Sequence, residues 1–254
     1  MEAKFRFTAT DLISKGRVDA ANIQSIKEWL ASENLPRLSD ELISQFLIST
    51  CHDVQMATVT IKNYFRIRQS TPEMFSERHV EKMLQVGFYC VLPRRTADNC
   101  AIIVVKLRDG DARKFDFTEH LRLICMVLDL VVYEDPPDGL ISILDLQGSS
   151  LRHLTSISLR LAATFAAYVQ DAIPLKVRAV HLINGGAVLH TLFTMFAPFL
   201  KAQVREMIHL QTIGEEFHTN WIEKEYLPGE YGGYLAPIEV HSDATIGKLS
   251  LSQC

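Results

Sequence analysis

The chain has 254 residues, 48% of them hydrophobic and 22% charged, which is room for one large domain, or a domain with a helical extension, around a substantial core. A net charge of −4 gives no global basic field for nucleic acid, so any membrane contact must rest on a local patch. The five cysteines (Cys51, Cys90, Cys100, Cys125 and Cys254) follow no C-x-x-C spacing and read as reduced thiols without a zinc site, and no window approaches the ~18 uninterrupted apolar residues of a transmembrane helix.

Residues 1–18 carry early charges and no apolar signal core, and read as a loosely held lead-in. Asp19 is placed to cap a helix reaching about residue 34, with Ile23, Ile26 and Leu30 on one face, and Pro36 ends it. Ser39 caps a second helix carrying Leu42, Ile43, Phe46 and Leu47. Asp53 caps a third, carrying Val54, Ile61 and Phe65, which runs until Pro72. Three short helices with brief connections make a helical module over residues 1–75.

The pattern then changes. A helix over 77–87 leads into a turn-rich stretch at 91–99. Ala101-Ile-Ile-Val-Val-Lys-Leu107 is β-branched and nearly continuous, the mark of a strand buried on both faces. Next come a helix over 118–133, a break at Pro136-Pro-Asp-Gly139, a strand over 140–146, a helix over 155–170 and a strand over 177–183. A strand over 206–211 and a short helix over 214–226 complete the alternation. Strands alternating with helices predict a mainly parallel sheet with helices on its faces, an α/β domain spanning residues 76–240. Residues 241–254 read as a tail with no pattern.

The stretch Val188-Leu-His-Thr-Leu-Phe-Thr-Met-Phe-Ala-Pro-Phe-Leu200 departs from an ordinary surface helix. Wound as a helix over about 187–205, it is apolar over most of its circumference, interrupted only by His190, Thr191 and Thr194. It is shorter than the ~20 residues needed to span a bilayer. Either it is a core helix kinked at Pro198, or it covers something apolar that is not protein.

Catalytic signatures are missing. Asp145-Leu-Gln-Gly-Ser-Ser150 is the nearest approach to a nucleophile elbow and lacks the second glycine. Asp145 reads instead as a strand-end carboxylate accepting backbone N–H bonds from the following turn. No phosphate-binding glycine loop occurs, and the histidines lack His-x-x-x-His spacing. His181 and His209 each interrupt an apolar strand and read as core histidines satisfied by backbone groups. No catalytic residue, cofactor or metal is expected.

Five phrases occur in order: Pro174-Leu-Lys-Val-Arg178, His181-Leu-Ile-Asn184, Pro198-Phe-Leu200, Ile208-His209, and Leu227-Pro228 with Glu230-Tyr-Gly-Gly233. Together they resemble the CRAL-TRIO family of lipid-transfer proteins, most of all its tocopherol- and retinaldehyde-carrying members. The resemblance extends more loosely from about Leu42 to Gly233. It implies an α/β fold class: an N-terminal small helical module, then a CRAL-TRIO-like mainly parallel sheet flanked by helices, with a mobile gate helix over an apolar cavity. The gate is the stretch after Gly185-Gly186, a pair that replaces the family's frequent acidic residue and proline and would loosen the hinge.

The implied function is that of a cytoplasmic, peripherally membrane-associated carrier of a small hydrophobic ligand of the tocopherol, retinoid, carotenoid or terpenoid class. Exchange of phosphatidylinositol or phosphatidylcholine, and a non-transporting interaction scaffold, are the alternatives. The resemblance places ligand contacts on Leu121, Cys125 and Leu128; on Leu140, Ser142 and Leu144; and on Ile157, Phe165, Tyr168 and Val169. Leu175, Val177 and Val180 join them, with Val188, Leu189, Leu192, Phe193 and Phe196 from the gate. Ile124 and Leu128 stand where tocopherol-binding relatives carry serines, which leaves Tyr168 as the polar group to orient a ligand. The family's phosphoinositide patch maps onto Arg68, Lys176 and Arg178. Gln203 and Met207 replace two further basic positions, and Lys201 and Arg205 lie within a turn of them.

Overall fold

The computed structural model describes residues 5–75 and 80–251. The N-terminal module contains α1 (Ala9–Ser14), α2 (Ala20–Ser32), α3 (Asp40–Ser49), α4 (Val54–Ser70) and the short α5 (Pro72–Phe75). Asp19, Ser39 and Asp53 cap α2, α3 and α4 as their sequence positions predict, each side chain accepting a backbone N–H of the first turn. Residues 1–4 of the lead-in lie outside the described residues, and from residue 5 on it is not loose. Thr8 caps α1, and Leu12 buries beside Ile26, Ile43, Phe46 and Ile61 in the module's core.

The sheet has five strands in the order β1 (Gly87–Val91), β2 (Cys100–Leu107), β3 (Gly139–Asp145), β4 (Val177–Ile183) and β5 (Ile208–Gln211). β2 to β5 are parallel, as their apolar runs predict, and β1 is antiparallel to β2. β1 is a strand the sequence reading missed. The helix expected over 77–87 is α6 (Glu81–Val86), and residues 77–79 lie outside the described residues. α7 (Phe117–Tyr133), α8 (Leu151–Leu154) and α9 (Leu159–Asp171) follow, so the helix expected from 155 starts at 159, capped by Ser158.

The gate stretch is divided. α10 (Gly186–Phe196) passes into a 3-10 turn (Ala197–Phe199), and a separate α11 (Ala202–Glu206) follows. Pro198 has no N–H to give an α-helical ladder, and Leu200 and Lys201 are extended, so one helix over 187–205 does not form. α12 (Glu215–Asn220) and α13 (Ile238–Leu251) complete the chain. No helix among the described residues is long and apolar enough to cross a membrane.

One sheet face, with Ile102, Val104, Ile141 and Ile143, packs against Phe217, Ile222, Leu227 and Tyr231. α13 lies along the edge of β1 away from β2, where no strand among the described residues pairs. Ser242 Oγ accepts from Tyr89 N at 3.2 Å, and Thr245 Oγ1 accepts from Val91 N at 3.0 Å. Asp145 is the knot at the strand ends. Its Oδ1 accepts from Gln147 N and the Asn184 amide, both at 3.0 Å; its Oδ2 accepts from Tyr231 O–H at 3.1 Å and pairs with Lys106 at 3.0 Å. The Gln147 N–H bond matches its reading as an acceptor for the following turn, while the other three partners are side chains. His181 differs from its reading: its Nδ1 meets a side chain, Gln211 Nε2 at 2.6 Å, its Nε2 is buried with no partner among the described residues, and it stacks on His209 with Trp221 against both.

Candidate functional site

The second sheet face does not fill. Side chains alternate along a strand, so Val105, Leu144 and Leu182, aligned across β2, β3 and β4, share this face. They form the floor of a cavity of about 230 Å³, with Leu107, Leu146, Val180 and Ile208 beside them. Phe117, His120, Leu121 and Ile124 of α7 make one wall. Leu154, Ile157, Phe165, Ala166 and Val169 make another. Val188, Leu192, Phe193 and Phe196 of α10 are the roof, extended by Leu200 and Val204.

Ten expected contacts therefore come together in this lining: Leu121, Leu144, Ile157, Phe165, Val169, Val180, Val188, Leu192, Phe193 and Phe196. Eight do not line it. Leu140 and Val177 pair with one another at the beginnings of their strands, Ser142 sits one pleat further on, and Leu175 precedes β4, whereas the cavity lies over the strands' carboxyl ends. Cys125 and Leu128 are core residues further along α7, and burial pushes the Cys125 thiol up. Leu189 turns back on the close approach to Gly185 at its own helix start. Tyr168 is fully buried with its hydroxyl on Arg68 at 3.1 Å, so it offers a ligand nothing. The missed residues, among them Val105, Leu107, Leu146, Leu182 and His120, cluster at strand ends and at the start of α7. The rule that α/β sheets bind ligands beyond the carboxyl ends of their strands is the signal that points there.

Most polar groups in the lining are spent on the protein. Lys106 is held by Asp145 and by Gln147 Oε1 at 2.7 Å. Gln170 donates to Phe199 O at 3.0 Å and accepts from Lys201 N at 2.7 Å, tying the far end of the roof to α9. His153 Nδ1 accepts from Ser150 N at 3.0 Å, and burial lowers its pKa. His120 contacts Tyr89 O–H through Nδ1 at 2.6 Å, and burial pushes its pKa down to about 4.

The roof is incompletely packed. In α10 only Val188 and Leu189 are buried; Leu192, Phe193, Met195 and Phe196 are half-buried, and His190, Thr191 and Thr194 are exposed. At its start Asn184 and Gly186 are left-handed, with φ of 57° and 48°. A Cβ on Gly185 would come within 2.7 Å of Leu146 Cδ1, so that glycine is required by close packing.

The expected basic patch loses one member. Arg68 makes a bidentate pair with Asp129, both bonds 2.8 Å, and its guanidinium stacks over Tyr64 and Phe75. Burial alone would lower its pKa, but the Asp129 charge more than offsets this and holds it raised. Arg68 is thus committed to joining α4, α7 and α9. Lys176 lies with Nζ 2.9 Å from Cys51 Sγ, and Lys201 pairs with Asp171. Arg178 and Arg205 are exposed.

Comparison with known proteins agrees with this architecture. Residues 85–233 match the family model of the CRAL/TRIO domain, and residues 17–83 match that of the Pinta-like, UBA domain. The chain is 26% identical over 251 residues to mouse alpha-tocopherol transfer protein-like, covering 91% of this chain and 72% of that one. It is 26% identical over 249 residues to rat Clavesin-1, covering 91% and 70%. The solved structure of Sfh5 superposes with a TM-score of 0.52 at 14% identity over 85% of this chain and 81% of Sfh5, a likeness of fold. Since the first of these family models covers more than half of its residues, around a parallel sheet roofed by an apolar helix, the chain belongs to the CRAL/TRIO domain family of lipid-binding and lipid-transfer proteins.

Proposed function

We propose that the protein is a carrier that takes a small hydrophobic molecule of the tocopherol, retinoid, carotenoid or terpenoid class from one membrane and releases it at another. The observation that carries this reading is the apolar cavity under a helix whose large side chains are only half-buried. Moving an apolar molecule through water costs about 25 cal/mol per Å² exposed, and a lined cavity removes that cost. At about 230 Å³ the cavity is smaller than the ~300–1,000 Å³ common for drug-sized ligands, so a ligand of this class enters as α10 moves outward. Leu192, Phe193 and Phe196 would then exchange contact with ligand for contact with lipid. Lys176, Arg178, Lys201 and Arg205 supply the docking charge for anionic headgroups, each worth ~1 kcal/mol near a membrane surface.

Binding is favoured over catalysis because Asp145, the strand-end carboxylate, already accepts from four partners. A phospholipid headgroup would need several buried polar partners, and in the lining Lys106, Asp145 and Gln170 are already engaged. The test is mass spectrometry of lipids that co-purify with the protein, followed by transfer between vesicles. A stoichiometric apolar molecule that moves faster with protein present is the expected result. A protein that takes up no apolar ligand overturns the carrier reading, and a bound glycerophospholipid overturns the ligand class.

A further inference from the structure

Within the carrier reading, on which this inference rests, the ligand's polar end meets two side chains of the lining that are not fully engaged, His120 and Ser149. Tyr89 is fully buried on β1, and among the described residues its hydroxyl has one hydrogen-bond partner, His120 Nδ1 at 2.6 Å. A buried phenol whose proton found no acceptor would bear the full penalty of an unmade bond. The proton therefore points at Nδ1, and the imidazole, kept neutral by its surroundings, must carry its own proton on Nε2. Gly87 makes this arrangement fit, since a Cβ there would approach Tyr89 Cε2 to 2.7 Å.

His120 lines the cavity, and its Nε2 has no hydrogen-bond partner among the described residues. The Nε2 of His153, across the Phe115 ring, is buried and lacks a partner among the described residues, whereas the His120 residue is only half-buried. Lys106, Asp145 and Gln170 are already engaged, and the Ser149 hydroxyl, which also lines the cavity, can donate or accept and so selects less sharply than a fixed N–H donor.

We propose that His120 Nε2–H is the polar anchor of the cavity, held in that tautomer by Tyr89, and that it selects ligands bearing a hydrogen-bond-accepting oxygen (hydroxyl, carbonyl or ether) on an apolar body. Tyr89 is the positioning residue, and His120 is the group that touches the ligand. A pure hydrocarbon fits the cavity but leaves the imidazole donor unpaired, and so binds at a disadvantage.

The test uses three probes of nearly equal size: n-octanol, heptyl methyl ether and n-nonane. Equilibrium headspace depletion over the full-length protein measures their binding. Two variants are compared with the parent. His120→Phe removes the donor, and the double variant Tyr89→Phe, His120→Phe also removes the stranded phenol, which protects the fold. One hydrogen bond lost is worth about tenfold in affinity. Both variants should therefore bind n-octanol and the ether about tenfold more weakly while n-nonane changes by less than about twofold. Equal change for all three probes, or no change for any, overturns the anchor while leaving the cavity reading intact. Failure of the parent protein to take up even n-nonane overturns the cavity reading and the anchor with it.

Discussion

Gln170 is the residue through which roof movement should be adjustable. Its amide donates to Phe199 O and accepts from Lys201 N, so two hydrogen bonds hold the end of the gate segment to α9. The neighbouring Lys201–Asp171 pair is largely exposed and adds little. Gln170→Leu keeps the size and apolar fit of the side chain while deleting both bonds. At about 1 kcal/mol each, the closed state loses ~2 kcal/mol relative to the open one, which is roughly a 30-fold shift in the opening equilibrium. Gln170 also donates to Ala166 O within its own helix, a bond whose loss leaves a carbonyl already in the helical ladder. The assay is stopped-flow transfer of a fluorescent retinoid or tocopherol analogue from loaded protein to acceptor vesicles. If opening limits release, the variant should unload about tenfold or more faster, with its urea midpoint changed only slightly. A transfer rate within twofold of the parent, with the fold intact, would refute the claim that this latch controls the roof.

Three other outcomes are expected. Arg68→Met strands Asp129, and with about a quarter of each side chain exposed the loss should sit near the low end for buried pairs, ~3 kcal/mol or about 6–10 °C in melting temperature; adding Asp129→Leu should recover most of it, and a loss below 1 kcal/mol would show the pair to be dispensable. Lys176→Ala with Arg178→Ala should weaken binding to phosphoinositide vesicles and flatten its salt dependence in a sedimentation assay, and unchanged binding would remove these residues from the docking patch. His120 and His181 both have pKa values lowered to about 4, chiefly by burial. Each binds its proton more readily when unfolded, so stability measured in urea should be full above about pH 6.5 and fall steadily as the pH drops toward 4; a flat profile across that window would refute the buried neutral state of both rings.

The fold was legible where local signals were strong and agreed with one another. Asp19, Ser39 and Asp53 are caps with a direct mechanism, and the apolar runs of β2, β3 and β4 could hardly be anything but buried parallel strands. β1 was hidden because Gly87-Phe-Tyr-Cys-Val91 is short and follows a helix without a break. α13 was hidden because its apolar residues form no stripe; Ser242 and Thr245 are buried for their hydroxyls. Around the cavity, apolarity marked the right elements but could not say which end of each strand was hollow, so Leu140 and Val177 were chosen along with Leu144 and Val180. Arg68 and Tyr168 were misplaced for a shared reason. A charge and a phenol look available in a sequence, and only the fold reveals that they face each other and Asp129.

The pairing of Ser242 and Thr245 with β1 spans more than 150 residues of chain. During synthesis at ~5–20 residues per second, β1 therefore waits on the order of ten seconds for the segment that covers it. Throughout that interval a nascent sheet presents the amides of Tyr89 and Val91 on its bare margin, where a strand from another molecule can pair. The helix that reaches back to cover this edge is thus the one that separates productive folding from aggregation, and chaperone demand should rise sharply for chains that stall before residue 242.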